Sequence, residues 1–351
     1  MGSATLARGR TTLAMAADWQ EDMLGAEFES TVLQVPAADG AAQRATLIRY
    51  LPQSPRRSPG GHAVLYVHGW SDYFFNTELA GFWHRQGAAF YALDLHHHGR
   101  SLQEGEPAGY VTDLRQYDDE ISLALDLIRE ENDRAETNIT LMGHSTGGLV
   151  ASLWAAEHPG RLRALVLNSP WLEMHGSALV RRAAGAVLEP LSRLKPEAEI
   201  KLPVRGFYYR SISRTAEGEW DLDPKLRPPE SFPVRAGWLS AIWDGQAKVA
   251  KGLNLEIPVL VMSSTRSMNG PVWHEDMKNT DVVLDIRTMT ERAVRLGRSV
   301  TIEQVQDALH DVFLSRADVR QDAYARLQRW AQAYMLRAGK AEHPALPPQQ
   351  A

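Results

Sequence analysis

From about residue 62 onward, short apolar runs alternate with longer stretches whose apolar positions recur every three or four residues. "AVLYVHG", "AAFYALDL", "NITLMGHS" and "LRALVLNSP" read as buried strands. "TELAGFWHRQG", closed by Gly87, "LRQYDDEISLALDLIREEN" and "TGGLVASLWAAEHPG" read as the helices between them. Strands that are apolar throughout and separated by amphipathic helices predict a parallel sheet covered on both faces. Ahead of this series, "EFESTVLQV" and "RATLIRYLP" flank the turn-rich "PAADG", which predicts an antiparallel start to the same sheet.

The alternation stops after Pro170 and resumes near Leu255 with "IPVLVMSS", "VVLDIRTMTERAVRLG", "SVTIEQVQDA" and the long helical "RADVRQDAYARLQRWAQAYML". The pause is helix-prone at first ("SALVRRAAGAVLEPLSRL"), then rich in proline and aromatic residues. A sheet that pauses and restarts predicts an inserted cap. The expected division is an N-terminal extension (1–24), a first part of the core (25–170), a cap (171–255), a second part of the core (256–338) and a disordered tail (339–351).

Composition narrows the chemistry. With 351 residues, 44% of them hydrophobic, the chain can bury a full core. A net charge of −5 gives no electrostatic reason to expect a nucleic-acid partner, and the absence of cysteine excludes disulfides, thiolate metal sites and a cysteine nucleophile. No apolar run approaches the roughly 18 residues of a membrane span. In "MGSATLARGRTTLAMAADWQ" the apolar "LAMAA" is shorter than the core of a signal peptide, so no export and a cytoplasmic location are expected. "MGSATL" loosely fits a myristoylation start, but a plain flexible terminus is the simpler reading. Oligomeric state is left open.

The segment "LMGHSTGGLV" places Ser145 between Gly143 and Gly147, at the junction of a strand and a helix. G-x-S-x-G arises by chance in about one chain in ten of this length, so its setting carries the weight. A strand-to-helix hairpin cramps the backbone at its apex, and only small residues two positions away on either side let the chains pass. The hairpin also sets Ser145 at a helix N-terminus, which favours developing negative charge. These features predict a nucleophile.

A serine hydroxyl needs a base. Of twelve histidines, His310 in "VQDALHDVFLS" follows the last expected strand in the chain order serine, acid, histidine. His343 falls in the tail, and His144 is expected to point elsewhere and pack. The orienting acid belongs on the loop after "PVLVMSS", which offers Asp276, Asp281 and Asp285. Asp281 is preferred, with Asp285 the alternative because it begins to look helical. The third need is an oxyanion pocket. Gly69 in "LYVHGWSDY" would let the backbone come close, with the N–H groups of Trp70 and Thr146 as donors.

Together, "HGWSDY", "DLHHHGRS", "GHSTGG", "DVVLD" and "LHD" resemble the α/β-hydrolase fold. Within it they resemble the monoacylglycerol lipase and lysophospholipase-like serine hydrolases, grouped with the S33 serine aminopeptidases, over roughly residues 25–335. The resemblance implies a serine hydrolase of carboxylic esters, with no cofactor and a small-molecule ester as partner. The alternatives are the same triad acting on another acyl or C–C bond (peptidase, C–C hydrolase or acyltransferase) and a non-catalytic binding protein on a hydrolase fold. It implies the acid first in a D-x-x-x-D pair, hence Asp281. The chain departs from the family in having Thr146 where many relatives carry methionine, a longer loop before Asp281, and "HHH" for the usual arginine-glycine-histidine.

Two further features invite a function. Asp94, His96, His97 and His98 suggest a metal site, but adjacent strand-end side chains diverge, so the loop is read as a turn and no metal is expected. Residues 181–214 carry eight Lys or Arg against three Glu, with "GFYY" at 206–209 and Trp220, Trp238 and Trp243 beyond. A lid making transient contact with an anionic lipid interface is one reading, and a solvated helix face over a packed core is the plainer one.

Overall fold

Nine strands form one sheet: β1 (Gln20–Glu21), β2 (Phe28–Pro36), β3 (Ala42–Tyr50), β4 (His62–Val67), β5 (Ala89–Asp94), β6 (Asn138–His144), β7 (Ala164–Asn168), β8 (Val259–Ser264) and β9 (Val300–Val305). Their spatial order is β1-β2-β3-β5-β4-β6-β7-β8-β9. The strands from β1 to β3, and the β3–β5 pair, are antiparallel, and every pair from β5 through β9 is parallel. The computed structural model describes residues 17–36, 42–52, 61–132, 137–174, 188–201 and 205–336. The expected N-terminal and C-terminal features at 1–16 and 339–351, and the first part of the helix-prone run at 177–194, lie outside them.

Successive side chains of a strand point to opposite faces, and here both faces are apolar. Ala63, Leu65 and Val67 of β4, with Leu165, Leu167, Val259 and Val261, enter one core. Val64, Tyr66, Ala164, Val166, Leu260 and Met262 enter the other. The first core is closed by α2 (Asp118–Glu131), α3 (Thr146–Glu157), α5 (Ala236–Lys251) and α6 (Ile286–Ala293), and the second by α1 (Thr77–Arg85) and α7 (Ala317–Tyr334). Each fully buried Leu or Val contributes about 1.5–3 kcal/mol, so the paired cores hold the sheet between its helices. This is the expected α/β-hydrolase architecture. Asn76 caps α1 by accepting the Leu79 N–H, and Gly87 with φ 82° ends it where expected.

The sequence pattern did not anticipate β1. It pairs with β2, and the adjacent Asp22 is buried against Arg100 through bonds of 2.7 Å from Nε and Nη2. Residues 17–24 are therefore packed onto the core. Between β7 and β8 the chain leaves the sheet. It returns a short helix, α4 (Phe207–Ile212), over the sheet's C-terminal edge, and then α5. Trp238, Ala241, Ile242 and Val249 of α5 lie in the first core, so this helix shares the layer of α3.

β4 is flanked by β5 on one side and by β6 on the other, so the strand order reverses at β4. Crevices at the C-terminal ends of such strands are where α/β sheets bind ligands. The chain turns there from β6 into α3, with Ser145 at φ 51°, ψ −116°. L-residues rarely adopt this conformation, and it costs on the order of 1–3 kcal/mol. A Cβ at residue 147 would sit 2.2 Å from the His68 carbonyl oxygen, and one at residue 143 would sit 2.5 Å from the Gly147 carbonyl oxygen. Gly147→Ala is expected to lower stability by about 1–3 kcal/mol, read as a lower urea midpoint. Gly81→Ala serves as the control. Its Cβ would meet only the far end of the Arg85 side chain inside α1, and it is expected to cost nothing.

Candidate active site

Ser145 is held from below. Its N–H donates to the Asn168 carbonyl at 3.0 Å, and its carbonyl accepts the Trp171 N–H at 3.0 Å. The backbone thus cannot relax away from the strained turn, and the hydroxyl projects toward the loop after β9. There His310 Nε2 lies 2.9 Å from Ser145 Oγ, and His310 Nδ1 lies 2.8 Å from Asp281 Oδ2. A carboxylate only accepts, so Nδ1 carries the proton and Nε2 is free to take one from the serine. Asp281 is fully buried, and its second oxygen accepts the N–H groups of Val283 and Leu284 at 2.7 Å each. These bonds fix the carboxylate before the histidine meets it.

The three candidate acids go to different places. Asp285 is exposed and caps α6, accepting the Thr288 N–H at 3.0 Å. Asp276 lies in a 3-10 turn over Glu275–Asn279, half exposed beside His274. Of the three, Asp281 is the one that meets His310.

Above Ser145 opens a cavity of about 630 Å³. Gly69, Trp70, Thr146, His144 and His310 form its floor, and Trp171, Trp238, Trp243, Leu188, Leu239 and Val283 are among its walls. Trp70 and Thr146 are thus both at the site with the serine. Thr146 is the first residue of α3, where a backbone N–H has no partner inside the helix.

A family model described as serine aminopeptidase, S33, matches residues 59–268, which hold the elbow, both strands of the switch point and the start of the loop that carries Asp281. The chain belongs to the S33 family. Among curated proteins, Lipase LipV of Mycobacterium tuberculosis is 31% identical over 188 residues, 52% of this chain and 58% of that protein. The chain thus matches little more than half the length of that relative. Among solved structures, the monoacylglycerol lipase of Paleococcus ferrophilus superposes with a TM-score of 0.56 at 18% identity, covering 79% of this chain and 96% of that one. A soluble variant of monoglyceride lipase from Saccharomyces cerevisiae gives 0.58 at 16%, covering 87% and 96%. At these identities the structural likenesses establish the fold.

The S33 site holds groups that sequence reasoning passed over. His144, expected to point away and pack, instead lines the cavity, with its ring 4.8 Å from that of His310. A strand side chain just before the elbow lands on the same side as the residue supplied by the loop after β9. Its Nδ1–H donates to the Asn168 carbonyl at 3.1 Å, and its Nε2 accepts the Tyr208 hydroxyl at 3.3 Å. Tyr208, from α4, stacks edge-on against His310 with ring centroids 5.1 Å apart. Arg227, from the same inserted segment, forms a buried ion pair with Asp72 at 2.5 Å and lies 4.9 Å over the Tyr208 ring. "GFYY" was the one visible signal for Tyr208. Arg227 sits in a proline-rich loop that carries no pattern.

The four residues of "DLHHHGRS" take separate partners. Asp94 accepts the Phe74 and Arg100 N–H groups, His96 pairs with Glu120, His97 with the Tyr110 carbonyl and His98 with the His96 carbonyl. Among the described residues no group of side chains is arranged to hold a metal ion, and no helix is long and apolar enough to cross a membrane.

Burial, with His310 adding to it, pushes His144 down to about 3. The unfolded chain titrates this group near 6.5, so between these values the unfolded state holds the extra proton. His144 therefore contributes stability that is complete above about pH 6.5 and lost as pH falls toward 3. Burial depresses His62, His97 and His98 in the same direction. Burial raises the Asp311 carboxyl, which acts in the opposite sense. Urea midpoints at pH 7 and pH 4.5 are expected to fall less for His144→Gln than for the unsubstituted protein, because the variant keeps every other contribution. An equal fall would contradict the assignment.

Proposed function

We propose that this S33 protein is a serine hydrolase that cleaves carboxylic esters of small to medium apolar acyl groups. Monoacylglycerol or lysophospholipid-like lipids are the candidate substrates. The observation that carries the reading is the continuous relay from Ser145 Oγ through His310 to Asp281, at 2.9 and 2.8 Å, opening into a cavity walled by tryptophan and leucine.

In this reading Ser145 Oγ attacks the ester carbonyl as its proton passes to His310 Nε2, and Asp281 stabilises the imidazolium. The N–H groups of Trp70 and Thr146, with the dipole of α3, take the charge that develops on the carbonyl oxygen. His310 then gives the proton to the departing alcohol, leaving an acyl-enzyme on Ser145. A water deprotonated by His310 attacks this acyl group, and the acid leaves as Ser145 recovers its proton. Apart from that water and the ester itself, every step uses protein groups. Residues 171–255 act as the cap, with α4 and the loop to Arg227 lying over the relay while α5 stays in the core layer.

The same acyl-enzyme could serve a peptidase, a C–C hydrolase or an acyltransferase. An aminopeptidase must hold a substrate ammonium group with a free carboxylate, yet the acid lining the cavity, Asp72, is already neutralised by Arg227. That favours the ester. The lining residues also favour a small apolar partner over a macromolecule.

Ser145→Ala is expected to lower ester turnover by at least about 10³-fold. Asp281→Asn is expected to lower it by about 10²–10⁴-fold, because His310 loses the acceptor that fixes its tautomer. Asp285→Asn should leave turnover near the original rate, since asparagine also caps a helix. Initial rates on p-nitrophenyl esters of graded acyl length check all three and read the depth of the cavity. Equal losses at 281 and 285 would remove Asp281 from its role.

A further inference from the structure

His68 is buried at the end of β4, directly before Gly69, and two bonds define the state of its ring. Nε2 lies 3.1 Å from the Leu95 N–H, which can only donate, so Nε2 carries no proton. Nδ1 lies 2.6 Å from the Gly69 carbonyl oxygen, which can only accept, so Nδ1 carries the proton and donates it. The ring spans from the end of β4 to the backbone just beyond β5.

The Gly69 carbonyl belongs to the same peptide unit as the Trp70 N–H, and in a planar trans peptide the two point in opposite directions. Holding the carbonyl on the His68 side turns the Trp70 N–H to the other side. Gly69 itself approaches the site closely, for a Cβ there would lie 3.3 Å from Ser145 Cβ and 3.1 Å from His144 Cδ2. Glycine is needed for that approach. It also leaves the Gly69–Trp70 peptide the least constrained unit in the strand end, since glycine tolerates both hands of φ. A donor for an oxyanion must be fixed before the reaction begins, and the glycine cannot fix it.

We propose that His68 is the positioning residue that aims the Trp70 N–H at the reacting carbonyl, with the "HHH" loop as its buttress. The inference rests on the oxyanion reading above. The loop's contribution is visible in His98, whose ring lies 4.9 Å from that of His68 and whose own Nδ1–H is tied to the His96 carbonyl at 2.9 Å. His96 in turn accepts at its carbonyl while its N–H donates to Glu120 at 3.0 Å. His98 and His96, which no step of the reaction uses, thus brace the histidine that orients the donor.

Two substitutions separate the two bonds. Asparagine places an amide N–H near the position of Nδ1 and keeps the bond to Gly69. Glutamine reaches the position of Nε2 and keeps the bond from Leu95, so it holds the strands together while releasing the carbonyl. His68→Gln is expected to lower kcat by about 10²–10³-fold with little change in KM, and to weaken a trifluoromethyl ketone inhibitor by a similar factor. His68→Asn is expected to stay within about tenfold of the original kcat. The ketone matters because its tetrahedral adduct carries the oxyanion, whereas KM reports ground-state binding that a structural role alone would move. Equal losses in the two variants, a greater loss in His68→Asn, or unchanged ketone affinity in His68→Gln would overturn the proposal. Absence of Ser145-dependent turnover in the unsubstituted protein is a different result and would overturn the esterase reading itself.

Discussion

The close crossing of β4 and α3 is the constraint from which the site follows. Residue 147 runs so near the His68 carbonyl that no Cβ fits between them, and this proximity forces Ser145 into a left-handed conformation. The strain is held by the bonds from Ser145 to Asn168 and from Trp171 to Ser145, and by a helix whose whole circumference is buried. Without that packing the turn would relax and the hydroxyl would swing out of line with His310. The cost in local conformation is offset by the two cores that clamp the sheet.

Around this turn the groups divide by origin. Ser145, His310 and Asp281 stand at or beyond the ends of parallel core strands, and the backbones of Ser145 and Asp281 are fixed by bonds that do not depend on the others. Tyr208 and Arg227 come from the segment inserted between β7 and β8, and they reach the same point from above. The histidine relay is therefore roofed by aromatic and cationic side chains that the core does not supply. The proposed catalytic chemistry belongs to the fold, and the roof over His310, with Tyr208 against its ring, belongs to the insertion.

Much of the fold was legible because apolar runs and helical periodicity agree from β4 to β7 and again from β8 to α7, whereas α4 and α5 lie in the stretch where the alternation stops. The meeting of Ser145 with His310 was legible because the roles proposed for them demand a fixed chain order and a strand-end setting. Asp281 was harder, since three aspartates lie on one long loop. What separates them is which one accepts its own loop's N–H groups and which caps a helix, and both depend on backbone geometry. β1 escaped because a two-residue strand has no period. Arg227, Asp72 and the inward turn of His144 escaped because they depend on contacts between segments distant in the chain, whose local sequence carries no trace of the partner. The histidine run was legible as a turn but not as a support for the neighbouring strand.

The central claim is that one hydroxyl in this chain is activated by the fold. The most direct measurement is fluorophosphonate labelling followed by mass spectrometry of the digested protein. A single adduct on Ser145 is expected, formed by the folded protein and lost on denaturation in urea or on His310→Ala substitution. No adduct on folded protein, or an adduct at Ser145 that forms equally well after denaturation, would contradict it.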